Sequence, residues 1–269
     1  MKALRGMAAG FILLVGATAV APELWAPAHY ATQDRETPDA PPSPHHLLGT
    51  DALGRDRFSR LVYGTRVSLV LAPSAALISC GLAALLGTAA ALAGPVFEWG
   101  VLALADLFLS LPWLFLLLTV RAFLPLNVSA MASITITFLL LAILGWAGPA
   151  RLVCAGVRDL RKSGFLLQAA ILGCTKWRMV WVHITPNVLD LVVAQFWVTV
   201  PVYVLAEATL GMLGLGVAEP LPSWGSLLRE LEGGSITTQP WLLAPVFLLA
   251  LVVGCFQFLS RKTGLEEYV

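Results

Sequence analysis

The stretch VSLVLAPSAALISCGLAALLGTAAALAG, residues 67–94, decides the fold class of this chain. It contains no charged residue. It is also longer than the roughly 20 apolar residues that an α-helix needs to cross the hydrocarbon core of a bilayer. An uninterrupted apolar run of this length predicts a transmembrane helix.

The composition of the whole chain agrees with a membrane protein. Of its 269 residues, 58% are hydrophobic and 12% are charged, and the mean hydropathy is +0.82. A soluble domain with this composition could not solvate its surface, so the sequence predicts a protein that crosses the membrane several times. The net charge of +1 gives no reason to expect nucleic acid as a partner.

Five further apolar runs accompany the first, which predicts an all-α membrane protein with six transmembrane helices. The initial run has a basic start and small residues after its apolar core, so a cleaved secretory signal peptide is the alternative there. The predicted spans cover residues 7 to about 24, 67–94, 101–124, 128–150, 188–213 and 241–259.

The distribution of Lys and Arg predicts the orientation of these helices. Cytoplasmic loops of membrane proteins carry an excess of Lys and Arg, and a basic cluster lies between the fourth and fifth spans. This cluster places both termini in the cytoplasm, although the arginines of the outer segment, residues 26–66, weigh against that orientation. The cluster comprises Arg151, Arg158, Arg161, Lys162, Lys176 and Arg178.

The outer segment combines a Pro-rich linker with a charged stretch whose apolar residues fall at helical spacing. This pattern predicts a short amphipathic helix at the outer interface that leads into the second span. The helix is either a simple ramp into the membrane or a functional surface. Its candidate residues are Asp51, Arg55, Asp56, Arg60 and Arg66.

The loop of residues 151–187 contains the segment FLLQAAIL, residues 165–172, which is too apolar for free solution and too short to span a membrane. Ser163-Gly164 and Gly173 predict bends on either side of it. A short helix between two bends can insert into the groove of a cytosolic partner. The alternative is a helix that folds back onto the bundle or onto the lipid headgroups.

Glu207 lies in the outer part of the fifth span, where a charge is costly. It either faces a water-filled path or a partner, or it is a hydrogen-bonded structural carboxylate. The turn EPLPSWG follows, residues 219–225, and Trp224 is predicted to anchor at the membrane interface.

The residues indicate no catalytic, metal or cofactor site. The four histidines and four cysteines lack the spacing of metal ligands, and no G-x-x-x-x-G-K-[ST] phosphate loop is present. An intramembrane hydrolase would lack a base within the spans. A non-ATP-driven secondary transporter or a structural membrane scaffold is the alternative function.

Three stretches together resemble the inner-membrane permease subunits of binding-protein-dependent ABC importers of the dipeptide, oligopeptide and nickel group. HHLLGTDALGRDRFSRLVYGTRVSL, residues 45–69, is similar to that group's outer segment. In GCTKWRMVWVHITPNVL, residues 173–189, Gly and His stand ten residues apart, as in the group's EAA loop. LAEATLGMLGLGVAEPLPSWGSLL, residues 205–228, resembles its motif A-E-A-S-L-x-F-L-G-L-G-x-x-x-P-x-P-S-W-G.

The resemblance implies a pore-forming subunit of the bacterial cytoplasmic membrane that moves a small solute, a peptide or possibly nickel. It implies a second permease subunit, two cytosolic ATPases and an external binding protein that docks on the outer helix. Glu207, selected above for its charge within a span, is then the candidate pore or gate residue. Residue 167 is Leu, whereas the family has the Glu that names the EAA loop. The implied ATPase-coupling residues are Phe165, Leu166, Leu167, Gln168, Ala169, Gly173 and His183.

The predicted organisation has three parts. Residues 1–25 form an N-terminal transmembrane helix, residues 26–66 form the outer linker and amphipathic helix, and residues 67–269 form the permease domain with the EAA-type loop at 151–187.

Overall fold

The computed structural model describes residues 2–125, 128–233 and 237–260. Within these ranges the chain forms eleven α-helices and no β-strand. The helices are α1 (Lys2–Val20), α2 (Arg57–Ala93), α3 (Pro95–Ser110), α4 (Trp113–Phe123), α5 (Ala130–Leu144), α6 (Ala147–Arg161), α7 (Gly164–Ile171), α8 (Lys176–Arg178), α9 (Thr185–Met212), α10 (Trp224–Arg229) and α11 (Ala244–Ser260). A π-helical turn, Met179–Ile184, joins α8 to α9, and 3₁₀ turns occur at Pro22–Leu24, Glu230–Glu232 and Pro240–Leu243.

Helices long and apolar enough to cross a membrane confirm the predicted fold class. Five continuous helical stretches in the described ranges meet this requirement, and the pair α3 and α4 makes a sixth if it is counted as one bent span. The five stretches are Ala3–Val20, Arg57–Ala93, Ala130–Arg161, Met179–Met212 and Pro240–Ser260.

The third predicted span is broken. Helices α3 and α4 meet at an angle of 87° around Leu111 and Pro112. Proline disfavours the helical conformation of the residue before it, and Leu111 is accordingly extended, at φ −90° and ψ 138°. The fourth span is longer than predicted, because helical structure continues past residue 150 to Arg161.

The amphipathic helix predicted in the outer segment forms only in its second part, as the beginning of the second span. Residues 51–66 are all described, and helix begins only at Arg57, as the first turn of the second span. Asp56 is the N-cap of α2, and its side chain accepts a hydrogen bond from the Ser59 amide at 2.7 Å. A turn with Gly54 at φ +72° precedes the cap. Asparagine, aspartate and serine are preferred at this cap position, which explains why α2 begins here.

Helix α2 is central to the bundle because it packs against α1, α3, α5, α6 and α9. Small residues allow these close contacts. They recur on the buried face of α2 every three or four residues, at Ala72, Ala76, Ser79, Ala83, Gly87 and Ala90.

Gly87 marks the closest crossing of α2 and α6. A Cβ atom at Gly87 would lie 2.5 Å from the Ala150 carbonyl oxygen and 2.9 Å from the Val153 side chain. We therefore expect Gly87→Ala to lower the stability of the purified chain by about 1 to 3 kcal/mol, as overpacking usually does. The measurement is the thermal unfolding midpoint in detergent.

Gly81→Ala is the matched control in the same helix, because nothing lies within 4 Å of a Cβ atom at Gly81. It should unfold at the same temperature as the unsubstituted chain or higher. Equal midpoints for the two variants would contradict the tight crossing.

Candidate functional site

Helix α7 forms between two bends, as the sequence predicts. The helix is preceded by a turn at Lys162 and Ser163, and it ends at Ile171. Gly173 is left-handed at φ +78°, and the Cys174 amide donates to the Ala169 carbonyl at 3.0 Å. This bond from the residue after a left-handed glycine is the Schellman arrangement that ends many helices.

One side of α7 is anchored in its own chain. Leu166 is only 2% exposed and belongs to an apolar cluster with Ala90 and Ala91 of α2, Val157 of α6 and Ile184. The prediction that Leu166 contacts an external partner therefore needs correction. This side chain fixes α7 to the bundle.

The opposite side of α7 exposes large apolar side chains. Leu167 is 53% exposed, Ile171 84% and Leu172 86%. Gln168 is also exposed. An exposed apolar patch of this kind marks a surface for a protein or a membrane.

The remaining predicted coupling residues border this patch. Phe165 is partly exposed and Ala169 is half-buried. The His183 ring is half-buried, and its centroid lies 6.5 Å from that of Phe165. The structure therefore brings the predicted residues of the loop together around α7, with Leu166 turned inward.

Three of the predicted outer residues meet in a charged cluster with Glu219, which lies 159 residues or more away along the chain. Arg55 bonds to Asp51 at 2.6 Å and to Glu219 at 2.7 Å. Arg60 bonds to the other oxygen of Glu219 at 2.9 Å. The Arg60 side chain is only 1% exposed, so it belongs to the packed interior of this cluster.

Arg57 extends the cluster toward the end of α10. Its Nε donates to Glu230 at 3.0 Å, and its Nη2 donates to Asp39 at 3.5 Å. An open cleft of about 510 Å³ lies beside these groups, lined also by Leu53, Gln239 and Leu242. The charged cluster, defined by Asp39, Asp51, Arg55, Arg57, Arg60, Glu219 and Glu230, joins the outer segment to the loop after α9.

The other two predicted outer residues lie outside this cluster. Asp56 bonds to His46 at 3.0 Å and caps α2. Arg66 is half-exposed and pairs with the similarly exposed Glu23 at 3.2 Å.

The pKa values of Glu219 and Glu230, two acids of the charged cluster, are shifted in opposite directions. Burial alone would raise the pKa of Glu219, but the charges of Arg60 and Arg55 hold it below the ordinary 4.5. Burial raises the pKa of Glu230 above 4.5, and the bond to Arg57 offsets this effect only in part. On acidification, Glu230 therefore takes up a proton before Glu219.

The lowered pKa of Glu219 predicts a loss of stability in acid. A carboxylate with a depressed pKa stabilises the fold above its unfolded pKa, and that contribution is lost as the pH falls through the folded value. The unfolding temperature should therefore decrease once the pH is lowered below about 4.5, the ordinary pKa of a glutamate side chain. Because the Glu219 side chain is 55% exposed, solvent screening keeps this loss small.

Glu219→Gln is the matched variant for this measurement. It should flatten the decline of the unfolding temperature between pH 5 and pH 3.5, since the group that titrates is gone. An unchanged decline would show that other carboxyls control it.

Glu207 is fully buried within the described part of the chain. Its Oε2 accepts a hydrogen bond from Ser68 at 2.9 Å, and Ser68 in turn accepts from the Trp224 amide at 3.3 Å. The Trp224 indole donates to Thr65 at 3.1 Å. These bonds support the interpretation of Glu207 as a structural carboxylate that joins α2, α9 and α10.

Trp224 is 0% exposed, so its predicted position at the membrane interface is wrong. Close glycine contacts explain its burial. A Cβ atom at Gly211 would lie 2.5 Å from the Gly225 Cα, and one at Gly216 would lie 2.5 Å from the Gly211 Cα. The glycines therefore allow the chain after α9 to fold back onto that helix and to enclose the indole.

Sequence reasoning did not select Glu219, Glu230 or Arg57 as site residues. A signal existed for Glu219, because it lies within the same recognisable motif as Trp224 and Gly225. No comparable signal marks Glu230, whose role depends on how α10 is placed over the start of α2.

The helical bundle, the exposed apolar helix between two bends and the charged outer cluster define a polytopic α-helical membrane protein with candidate contact surfaces at two separate places. Residues 83–261 match the family described as "Binding-protein-dependent transport system inner membrane component". The match covers more than half of the chain. The chain belongs to this family, and it is therefore a transporter subunit and not a catalytic enzyme.

Curated relatives agree with the family match. The oligopeptide transport system permease protein OppC of Escherichia coli strain K12 is 33% identical over 80% of this chain and 69% of that protein. OppC of Mycobacterium bovis is 31% identical over 94% of this chain and 85% of that protein. The dipeptide transport system permease protein DppC of Bacillus subtilis is 29% identical over 97% of this chain and 80% of that protein.

Proposed function

We propose that this chain is the pore-forming permease subunit of an ATP-driven importer that moves di- or oligopeptides across the bacterial cytoplasmic membrane. Its relatives are named as oligopeptide and dipeptide permeases. The observation that most supports ATP coupling is the exposed apolar side of α7, which lies in the segment that the family resemblance assigns to ATPase contact. Energy then comes from separate subunits.

The proposed assembly contains this chain, a different second permease subunit, two cytosolic ATPases and an external substrate-binding protein. The chain spans the membrane with both termini in the cytoplasm, although residues 261–269, which include the basic pair Arg261 and Lys262, lie outside the described residues. The division into residues 1–25, 26–66 and 67–269 stays a prediction.

The orientation predicts which positions accept a membrane-impermeant thiol reagent. In a background without native cysteines, Ala40→Cys should react in intact cells. Lys162→Cys should react only after the membrane is opened, because residue 162 lies in the basic turn before α7. The reverse pattern would place α7 outside and remove the basis for ATPase contact.

The charged cluster is proposed to receive the binding protein or to form part of the outer gate. The open cleft beside Arg55, Arg57 and Glu230 offers charged groups of both signs for such a contact. Arg60 is too buried to touch a partner directly, so it supports this surface from beneath.

Uptake measurements test the substrate class. Cells that lack this chain should lose ATP-dependent import of radiolabelled di- and oligopeptides and regain it on complementation, while nickel uptake stays unchanged. Peptide uptake driven only by an ion gradient would favour a secondary transporter. Undiminished uptake without the chain would favour a structural scaffold.

A further inference from the structure

Arg121 is a buried guanidinium without an acidic partner in the described parts of the chain. It lies in the last turn of α4 and is only 1% exposed. Its two bonds are long, to the Ser133 hydroxyl at 3.3 Å and to the Pro125 carbonyl at 3.4 Å, and its Nε has no hydrogen-bond partner. None of the ion pairs of the described residues includes it.

A buried charge is costly unless it is paired. Carbonyls at the end of a helix favour a cation, and the last turn of α4 supplies that effect for Arg121. Two long bonds to neutral oxygens still leave the net charge of the guanidinium uncompensated. An anion beside it would supply the missing charge.

A small cavity lies at Arg121. Its volume is about 140 Å³, and it is lined by Arg121, Ser133, Gly211, Gly214, Gly216, Val217, Ala218, Glu219, Ser226 and Arg229. Ligand pockets for drug-sized molecules measure about 300 to 1,000 Å³. This cavity therefore suits a small anion or a single acidic group, and it is too small for a peptide.

A second guanidinium reaches the same cavity. Arg229, at the end of α10, forms no ion pair with the described residues. Its Nη1 lies 3.1 Å from the place that a Cβ atom of Gly214 would occupy, and Gly214 is left-handed at φ +74°. Because residue 214 is a glycine, the Arg229 guanidinium has room to pack against the loop that contains it.

Glu219 also lines the cavity, but its two carboxylate oxygens bond to Arg55 and Arg60. Its negative charge opposes a ligand of high charge. Two guanidiniums that form no ion pair with the described residues, beside one engaged carboxylate, favour a group with a single negative charge and planar oxygens, which arginine binds in bidentate fashion.

We propose that the cavity between Arg121 and Arg229 is a binding site for one carboxylate group. The carboxylate belongs either to a small free anion or to an acidic side chain of a neighbouring subunit. The site holds it between the end of α4 and the end of α10.

Thermal unfolding of the full-length chain in nanodiscs tests the proposal. Sodium acetate, titrated at constant ionic strength and pH, should raise the unfolding temperature with saturation, whereas neutral acetamide, which has a similar shape, should not. Arg121→Gln should weaken the acetate effect at least tenfold in apparent Kd. Arg66→Gln is the matched control, since that arginine is exposed and paired with Glu23, and it should respond as the unsubstituted chain does.

Arg229→Gln provides a second variant in case Arg121→Gln does not fold, because Arg229 lies on the surface. It should also weaken the acetate effect. The same titration on the assembled transporter separates the two sources. If acetate raises the unfolding temperature of the isolated chain but not of the assembled transporter, the carboxylate belongs to a neighbouring subunit and the site is supported. If acetate raises the unfolding temperature of the isolated chain and of the assembled transporter, the site binds a free anion. No acetate effect in either, or an effect that survives both substitutions, would overturn the proposal.

Discussion

The double variant Leu167→Ser with Ile171→Ser should lose its ATPase subunits on purification while it still inserts and folds. Both side chains are large, apolar and exposed on the same side of α7, four residues apart. Burial of such a side chain contributes roughly 1.5 to 3 kcal/mol. Removing two of them should weaken the contact more than tenfold, since about 1.4 kcal/mol corresponds to a factor of ten.

The measurements are co-purification of the ATPase and peptide-stimulated ATP hydrolysis in reconstituted membranes. The double variant Leu24→Ser with Leu47→Ser is the control, because those leucines are 82% and 56% exposed but lie outside α7 and outside the cleft beside the charged cluster. It should keep the ATPase. If the α7 variant keeps it as well, α7 lies on the membrane surface and another segment transmits the force.

Leu167→Glu tests the departure from the family pattern at the same position. A carboxylate there should not improve ATP hydrolysis, because a partner groove that matches Leu would face an unpaired charge. Improved coupling would show that the ATPase has kept a basic partner for the missing glutamate.

Leu166→Ser should behave differently from the exposed variants. Its side chain is packed among Ala90, Ala91 and Val157, so the substitution leaves a cavity and a buried hydroxyl. Replacing a buried Leu by a small residue commonly costs about 2 to 5 kcal/mol. The chain itself should then unfold at a lower temperature, before any effect on the ATPase is measured.

Arg60→Glu should remove most of the folded chain from the membrane. The new carboxylate would lie among Asp51, Glu219 and Glu230, in a position that is only 1% exposed. Breaking a buried ion pair typically costs about 3 to 5 kcal/mol, and a reversed charge adds repulsion. The measurements are the amount of monodisperse protein after extraction and its unfolding temperature.

Arg66→Glu is the matched control in the same helix. Its partner Glu23 is exposed, and exposed ion pairs contribute about 0 to 1 kcal/mol. That variant should reach normal levels. Normal levels of Arg60→Glu together with impaired uptake would instead favour a direct role of Arg60 in docking or gating.

The sequence predicts the positions of the helices and the family better than it predicts contacts between distant residues. Residues 165–172 form the expected helix because Ser163-Gly164 and Gly173 are local signals, visible without any tertiary contact. The bend at Leu111 and Pro112 also has a local cause, yet the apolar runs on both sides concealed it. An apolar run alone does not distinguish one straight helix from two.

Tertiary contacts explain the remaining differences. Arg60 and Arg66 have the same charge in the same helix, but Arg60 is buried beside Asp51, Glu219 and Glu230, whereas Arg66 is exposed beside Glu23. Trp224 follows a similar rule, because its burial depends on the glycines at 211, 216 and 225. Hydropathy describes neither contact, since both depend on how separate segments of the chain fold against each other.

Helix α2 has 37 residues, which at 1.5 Å per residue gives a rod of about 55 Å. The hydrocarbon core of a bilayer is only about 30 Å thick. One end of the rod carries Arg57 and Arg60 of the charged cluster. At the other end, Arg161 donates to the Ala91 carbonyl at 2.5 Å, and Ala90 and Ala91 belong to the same apolar cluster as Leu166 of α7. A single continuous helix therefore connects the two candidate surfaces, so a tilt of α2 would displace both of its ends together, and a bend at Pro73 would uncouple them.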